Sequence, residues 1–298
     1  MKHLHLLLVL SALSATLGKA QGISAGSTYL KIPVDARAAS LGDAVVGDAA
    51  RYSSAGVNPA SLASEGSVGL LLSHTQWIQD IRTEFVRTRL PFSFGTIGAA
   101  ISNTNIGGIE LRETPGPAIG TFAARAARFQ IGFARNFSED VTVGAGVSYL
   151  YEKLYLDEAT GFGFDVGGLY RTPVSGLSVG LAITNIGSLS ELRVESSDLP
   201  AQLRAGGTYG FARSEFAFSI CAALLHETKR NATHLQVGVE TTYDGLLSFR
   251  VGYQSGYESR GFSSGIGLRY SLVDINYAYV PFSLGLGDAH LFTVGFEI

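Results

Sequence analysis

Arginines and carboxylates set into otherwise apolar segments are the first chemistry this chain offers. Arg128, Arg204, Arg250 and Arg269 can be set against Asp165, Glu240 and Glu297, each with apolar neighbours. A guanidinium grips a carboxylate in a two-pronged geometry, so these seven residues could cross-link and stiffen an enclosed polar lumen. Catalysis and metal binding find less material. Beyond residue 20 the histidines are His74, His226, His234 and His290, with no pair at metal-ligand spacing. Cys221 is the only cysteine, which rules out a disulfide framework and a thiolate metal cage. The Gly-x-Gly elements at 144–146, 161–163, 265–267 and 285–287 lie in strands or turns, and none opens a helix after a strand as a phosphate loop would. A Ser/His/Asp triad assembles from distant positions, yet no local motif supports one. The expectation is a non-enzyme with no catalytic residue, no metal and no cofactor.

The elements that must position these side chains are strands. After about residue 66 the pattern has period two, the repeat of a strand whose neighbouring side chains face opposite ways. Val141, Val143, Ala145, Val147, Tyr149 and Tyr151 share one face, while Thr142, Gly144, Gly146 and Ser148 share the other. The alternation recurs over 203–211, 234–240, 247–254 and 292–298, and turn signals such as Asn136–Asp140 and Tyr243–Gly245 separate the runs. About fourteen strands fit, with 107–125 read as a loop or irregular strand because Pro115 and Pro117 interrupt it.

Such strands build either a soluble sandwich or a membrane barrel with its apolar face toward lipid. Composition favours the barrel. Of 298 residues 46% are apolar and 37 are glycine, and mean hydropathy is +0.22. Beyond residue 20 only Lys31, Lys153 and Lys229 stand against seventeen arginines, whereas a sandwich exterior is usually rich in Lys and Glu. Tyrosines near strand ends, among them Tyr155, Tyr170, Tyr243 and Tyr270, suit the aromatic belts of an outer-membrane barrel. A formal charge of −3 without clustered basic residues argues against nucleic acid.

The start of the chain has its own logic. Lys2, His3 and His5, an apolar run over 4–13 and small residues to Ala20 form an export signal over 1–20. Residues 21–65 do not alternate and are rich in Ala and Gly, with short helices expected at 36–41 and 59–64; Asn58 is a suitable N-cap and Pro59 a suitable first helical residue. This segment could pack inside the barrel formed by 66–298 as a plug.

The stretches Ala36–Gly42 (ARAASLG), Ser53–Ala63 (SSAGVNPASLA) and Gly287–Gly295 (GDAHLFTVG) resemble the PorV/PorQ family of outer-membrane proteins. That family is related in fold to the FadL-type long-chain fatty-acid transporters, whose N-terminal region carries an Asn-Pro motif. Asn58, Pro59 and Ala60 correspond to that motif, with Leu62 completing it and Ser61 standing where Gly is usual. The resemblance implies a fourteen-stranded transmembrane antiparallel β-barrel in the bacterial outer membrane, with a partly helical plug. It also implies a non-enzymatic role in a type IX secretion system, with exported cargo proteins or secretion subunits as partners beside outer-membrane lipid. The alternative is a FadL-like passive transporter of long-chain hydrophobic compounds, with a hydrophobic small molecule as ligand; a third is a mainly structural barrel within a complex. An apolar pocket between 30–63 and the wall would favour the transporter, and a lumen closed by Arg–carboxylate pairs the partner role. The chain departs from the pattern by ending in Phe296-Glu297-Ile298 and by its short length, which leaves little for extracellular loops.

Overall fold

The computed structural model describes residues 27–64, 67–112, 115–192 and 195–298; the export signal read over 1–20 lies outside them. The strands are β1 Gly69–Gln76, β2 Ile81–Phe92, β3 Gly95–Leu111, β4 Gly120–Asn136, β5 Val141–Leu154, β6 Asp157–Arg171, β7 Leu177–Leu192, β8 Glu195–Asp198, β9 Gln202–Arg213, β10 Phe216–Glu227, β11 Ala232–Tyr243, β12 Leu247–Gln254, β13 Phe262–Tyr270, β14 Val273–Pro281 and β15 Asp288–Glu297. All pairings are antiparallel, and β1 pairs with β15 while β6 pairs with β7, so the sheet closes on itself. Both β8 and β9 run against β7, along different stretches of it. They are two pieces of one barrel strand interrupted at Leu199–Ala201, and the barrel has fourteen strands.

Alternation sets the two faces. Along β5, Thr142, Gly144, Ser148 and Leu150 point into the barrel, while Val141, Val143, Val147 and Tyr149 are exposed outside it. The same outward face carries Ile131, Phe164, Ile220, Leu235, Phe249 and Ile266, about half exposed each. This is an apolar exterior around a polar interior, the inverse of a soluble domain, and it places the protein in the outer membrane. The span read as loop or irregular strand, 107–125, is the tip of a long hairpin: β3 and β4 run on to Leu111 and back from Gly120, with a register shift between Ile106 and Ile109. The prolines thus sit in the connection, where no ladder bond is lost.

One end of the barrel carries only short connections, at 93–94, 137–140, 172–176, 214–215, 244–246 and 271–272. The opposite end carries the longer ones, among them 112–119, 255–261 and 282–287. Short turns mark the periplasmic end of such barrels and longer loops the extracellular end.

Candidate functional site

Residues 27–64 thread the lumen. A 3₁₀ turn, Thr28–Lys31, lies near the long-loop end, where Lys31 Nζ meets Glu227 at 2.8 Å. A single helix, α1 Ala36–Ser40, packs on β12–β15, with Ala36 and Ala39 against Ala278, Ala289 and Leu291. Two further 3₁₀ turns, Tyr52–Gly56 and Pro59–Ala63, bring the chain toward β1.

Asn58 is fully buried and ties three segments together. Its Oδ1 accepts the Ala60 N–H at 3.1 Å, capping the Pro59–Ala63 turn, while its Nδ2 donates to Val46 O at 2.8 Å and to Gly168 O on β6 at 3.1 Å. Pro59 takes the first helical position, where its missing N–H costs nothing. Leu62 lies against Gly98 and Gly132: a Cβ on either would stand 2.8 Å from its methyls. A Cβ on Gly144 would collide with the Pro59–Ala60 backbone, and one on Gly167 with the Asn58 side chain. The inward glycines are therefore the seats of the plug.

The charged residues read from sequence fall into several arrangements. Arg128 Nη2 meets Asp165 Oδ2 at 2.7 Å, and Asp165 Oδ1 accepts the Asn185 backbone N–H at 2.7 Å. Arg250 Nε meets Glu240 Oε1 at 2.8 Å, directly across the β11–β12 pair. Arg204 donates to Thr184 and Gln202 rather than to a carboxylate. Arg269 pairs with Asp274 at 2.5 Å, a partner outside the set proposed from sequence. Glu297 lies on β15 and lines a small cavity with Arg51, Tyr52 and Arg269, but is ion-paired with none of the four arginines read from sequence.

The centre of the charge cluster comes from the plug. Arg37 of α1 sits between Asp48, at 2.6 Å, and Glu240, at 2.7 Å, and Arg250 reaches on to Asn276 Oδ1 at 2.8 Å. All four charges are buried. Sequence reasoning passed over Arg37 and Asp48; a lone Arg within the alanines of Asp35–Ser40, eleven residues before an Asp, was the available signal. It also passed over Arg89, 1% exposed, whose guanidinium collects the carbonyls of Leu62, Ser64 and Ser67 where the plug leaves for β1. Asp35 caps α1 through the Ala38 N–H at 2.8 Å, and burial pushes its carboxyl up to about 6. Among the described residues no group of three His, Cys, Asp or Glu side chains is placed to hold a metal.

Cavities flank the plug. At the short-turn end about 580 Å³ opens between residues 48–51 and the β7, β9–β11 wall, and at the long-loop end about 260 Å³ opens beside Ile32, Trp77 and Phe282. Between them a cavity of about 90 Å³ is lined by Asp35, Asp43, Arg87, Arg128, Asp165 and Arg204, with apolar groups from Val34, Val57 and Phe85.

No family model and no curated protein matches the chain. Solved structures do. The CymD monoaromatic hydrocarbon channel superposes with a TM-score of 0.61 at 13% identity, covering 89% of this chain and 97% of that one. A Pseudomonas aeruginosa FadL homologue gives 0.58 at 13%, covering 89% and 99%, and the Pseudomonas putida toluene transporter TodX gives 0.56 at 12%, covering 85% and 96%. The chain carries the fold of these outer-membrane barrels. At such identities what is shared is the fold. On it, the segment around Asn58 and the buried Arg37 cluster are what stand between the two mouths.

Proposed function

We propose that the protein is a passive, non-enzymatic outer-membrane channel for hydrophobic small molecules, with residues 27–64 as its plug. The observation that carries this reading is a lumen occupied by a segment seated on glycine, with a cavity at each mouth, in a fold shared with proteins described as a toluene transporter and a monoaromatic hydrocarbon channel. A diffusion pore for polar solutes needs an open lumen. Here passage requires the Asn58–Ala63 region, or the wall against it, to yield.

The central cavity between plug and wall mixes apolar and charged groups, and Arg–carboxylate pairs close the lumen. Those pairs favour a second reading, in which the barrel binds exported cargo or a secretion-system subunit as PorV/PorQ-type proteins do; the structural neighbours lend that reading no support. A deletion strain separates the two. Uptake of toluene and of a long-chain fatty acid is measured beside surface display of secreted proteins. Lost uptake with normal display is expected, and lost display with normal uptake overturns the channel.

A further inference from the structure

The long-loop mouth is roofed by a column of flat groups. The His234 ring of β11 stacks on Tyr257 at 3.9 Å with the planes 7° apart. The Arg260 guanidinium lies 4.6 Å from the Tyr257 ring centre and 5.5 Å from that of Trp77. Trp77 meets Phe282 edge to face at 5.2 Å. The column runs from β11, through the 255–261 loop, to the β1–β2 turn and the 282–287 loop. Backbone pairing holds it: Arg260 bridges Phe282, and Ser283 N donates to Ser259 O at 2.8 Å. Such a roof is pre-organised and gives up little freedom when something packs against it.

Four of these groups, Trp77, Tyr257, Arg260 and Phe282, line the 260 Å³ cavity. So do Lys31 and Lys229, which are paired with Glu227 and Asp198, and Arg230, which leaves Arg230 and Arg260 as lining cations with no carboxylate partner among the described residues. A concave site with cations in excess attracts anions and concentrates them at its mouth. A hydrocarbon would use the flat apolar faces and ignore the charge. An aliphatic acid would use the charge and leave the faces poorly matched, since stacking favours a second planar group.

We propose that this mouth is a binding site for planar aromatic compounds carrying an anionic group, with the ring against Trp77 and Phe282 and the anion toward Arg260. The proposal rests on the channel reading and narrows it: at this mouth an aromatic acid is held in preference to a neutral hydrocarbon. Arg260 suits the task because one N–H is engaged by Gln254 Oε1, at 2.6 Å, while the guanidinium has further donors.

Trp77 is the chain's only tryptophan, so the site carries its own reporter. The full chain in nanodiscs is titrated with 4-butylbenzoate, with its methyl ester and with 4-butylcyclohexanecarboxylate, and Trp77 emission is followed. The expected result is saturable quenching by 4-butylbenzoate with an affinity at least tenfold above both comparators. Arg260→Gln should erase that preference. Should Arg260→Gln lose its heat-modifiable gel mobility, Arg230→Gln at the exposed rim serves instead, with a three- to fivefold weakening that added salt mimics. Equal affinity for acid and ester, or an equal response to the saturated acid, overturns the proposal. Uptake assays on the same protein keep the outcomes apart: preserved toluene flux with no preference for the acid sinks this inference alone, whereas absence of flux for every compound sinks the channel reading itself.

Discussion

The plug is fastened to the wall in two ways, and the two fastenings obey different physics. Around α1 glycines also make room, Gly238, Gly252 and Gly265 beneath Ser40–Gly42, but what sets this bond to β11 and β12 apart is ionic, with Arg37 and Arg250 sharing Glu240. Around the Pro59–Ala63 turn the bond to β3–β6 is steric: glycines leave room for Leu62 and for the turn's own backbone, and a buried amide adds three hydrogen bonds. A buried charge is intolerant of losing its partner, since the survivor stays desolvated. A steric seat is intolerant of gaining an atom. The first is thus broken by deletion, the second by addition.

The largest effect expected is from Glu240→Ala, which leaves the buried Arg250 with no carboxylate and the buried Arg37 with Asp48 alone. Loss of about 3–5 kcal/mol is anticipated, read from urea unfolding of the detergent-folded barrel. Adding Arg37→Ala should cost much less than the sum of the single changes, because the pair acts as a unit. Next, Gly144→Val should unseat the Pro59–Ala63 turn at a cost of up to about 3 kcal/mol, because the colliding atoms are backbone and cannot rotate away. Labelling of a Ser61→Cys reporter should rise with Gly144→Val and stay unchanged with Glu240→Ala if the two fastenings are independent; a rise with both would merge them.

Asp35 tests the ionic side by pH. Its folded value, about 6, lies above the ordinary 3.8 because burial disfavours the charged form. The contribution to stability is therefore complete below about pH 4 and is lost as pH rises through 6, a change on the order of 2 kcal/mol. Unfolding followed from pH 4 to 7 should show that slope, and Asp35→Asn, which keeps the cap, should flatten it. Asn58→Ala should cost about 1–2 kcal/mol, since Val46 O and Gly168 O lose a donor and the Ala60 N–H loses its cap. Arg269→Gln should cost less than about 1 kcal/mol, because Arg269 and Asp274 are both partly exposed.

The two fastenings also differ in how far the residues reveal them. Fourteen strands are visible in the alternation, because lipid and lumen impose opposite demands on neighbouring positions. Arg250 and Glu240 are recoverable as a pair, since they face each other across adjacent strands. Arg128 and Asp165 are separated by a whole strand, so their contact depends on side-chain reach across β5. The glycines stand out by number, but which of them seat the plug depends on its path, and no periodicity encodes that path. Arg37 was hidden for the same reason: a five-residue helix has too few turns to display a face.

The barrel's seam, where β1 meets β15, has a consequence for assembly. The plug touches both edges: the Ala36 N–H donates to Thr293 Oγ1 of β15 at 2.9 Å, and the Tyr52 hydroxyl donates to Leu70 O of β1 at 3.3 Å. β15, which closes the ring on β1, follows both β1 and the plug in the chain. The plug thus offers one segment against which the first and last strands can be brought into register. Damage to it should surface as slow or failed insertion into the membrane before it surfaces as a leak.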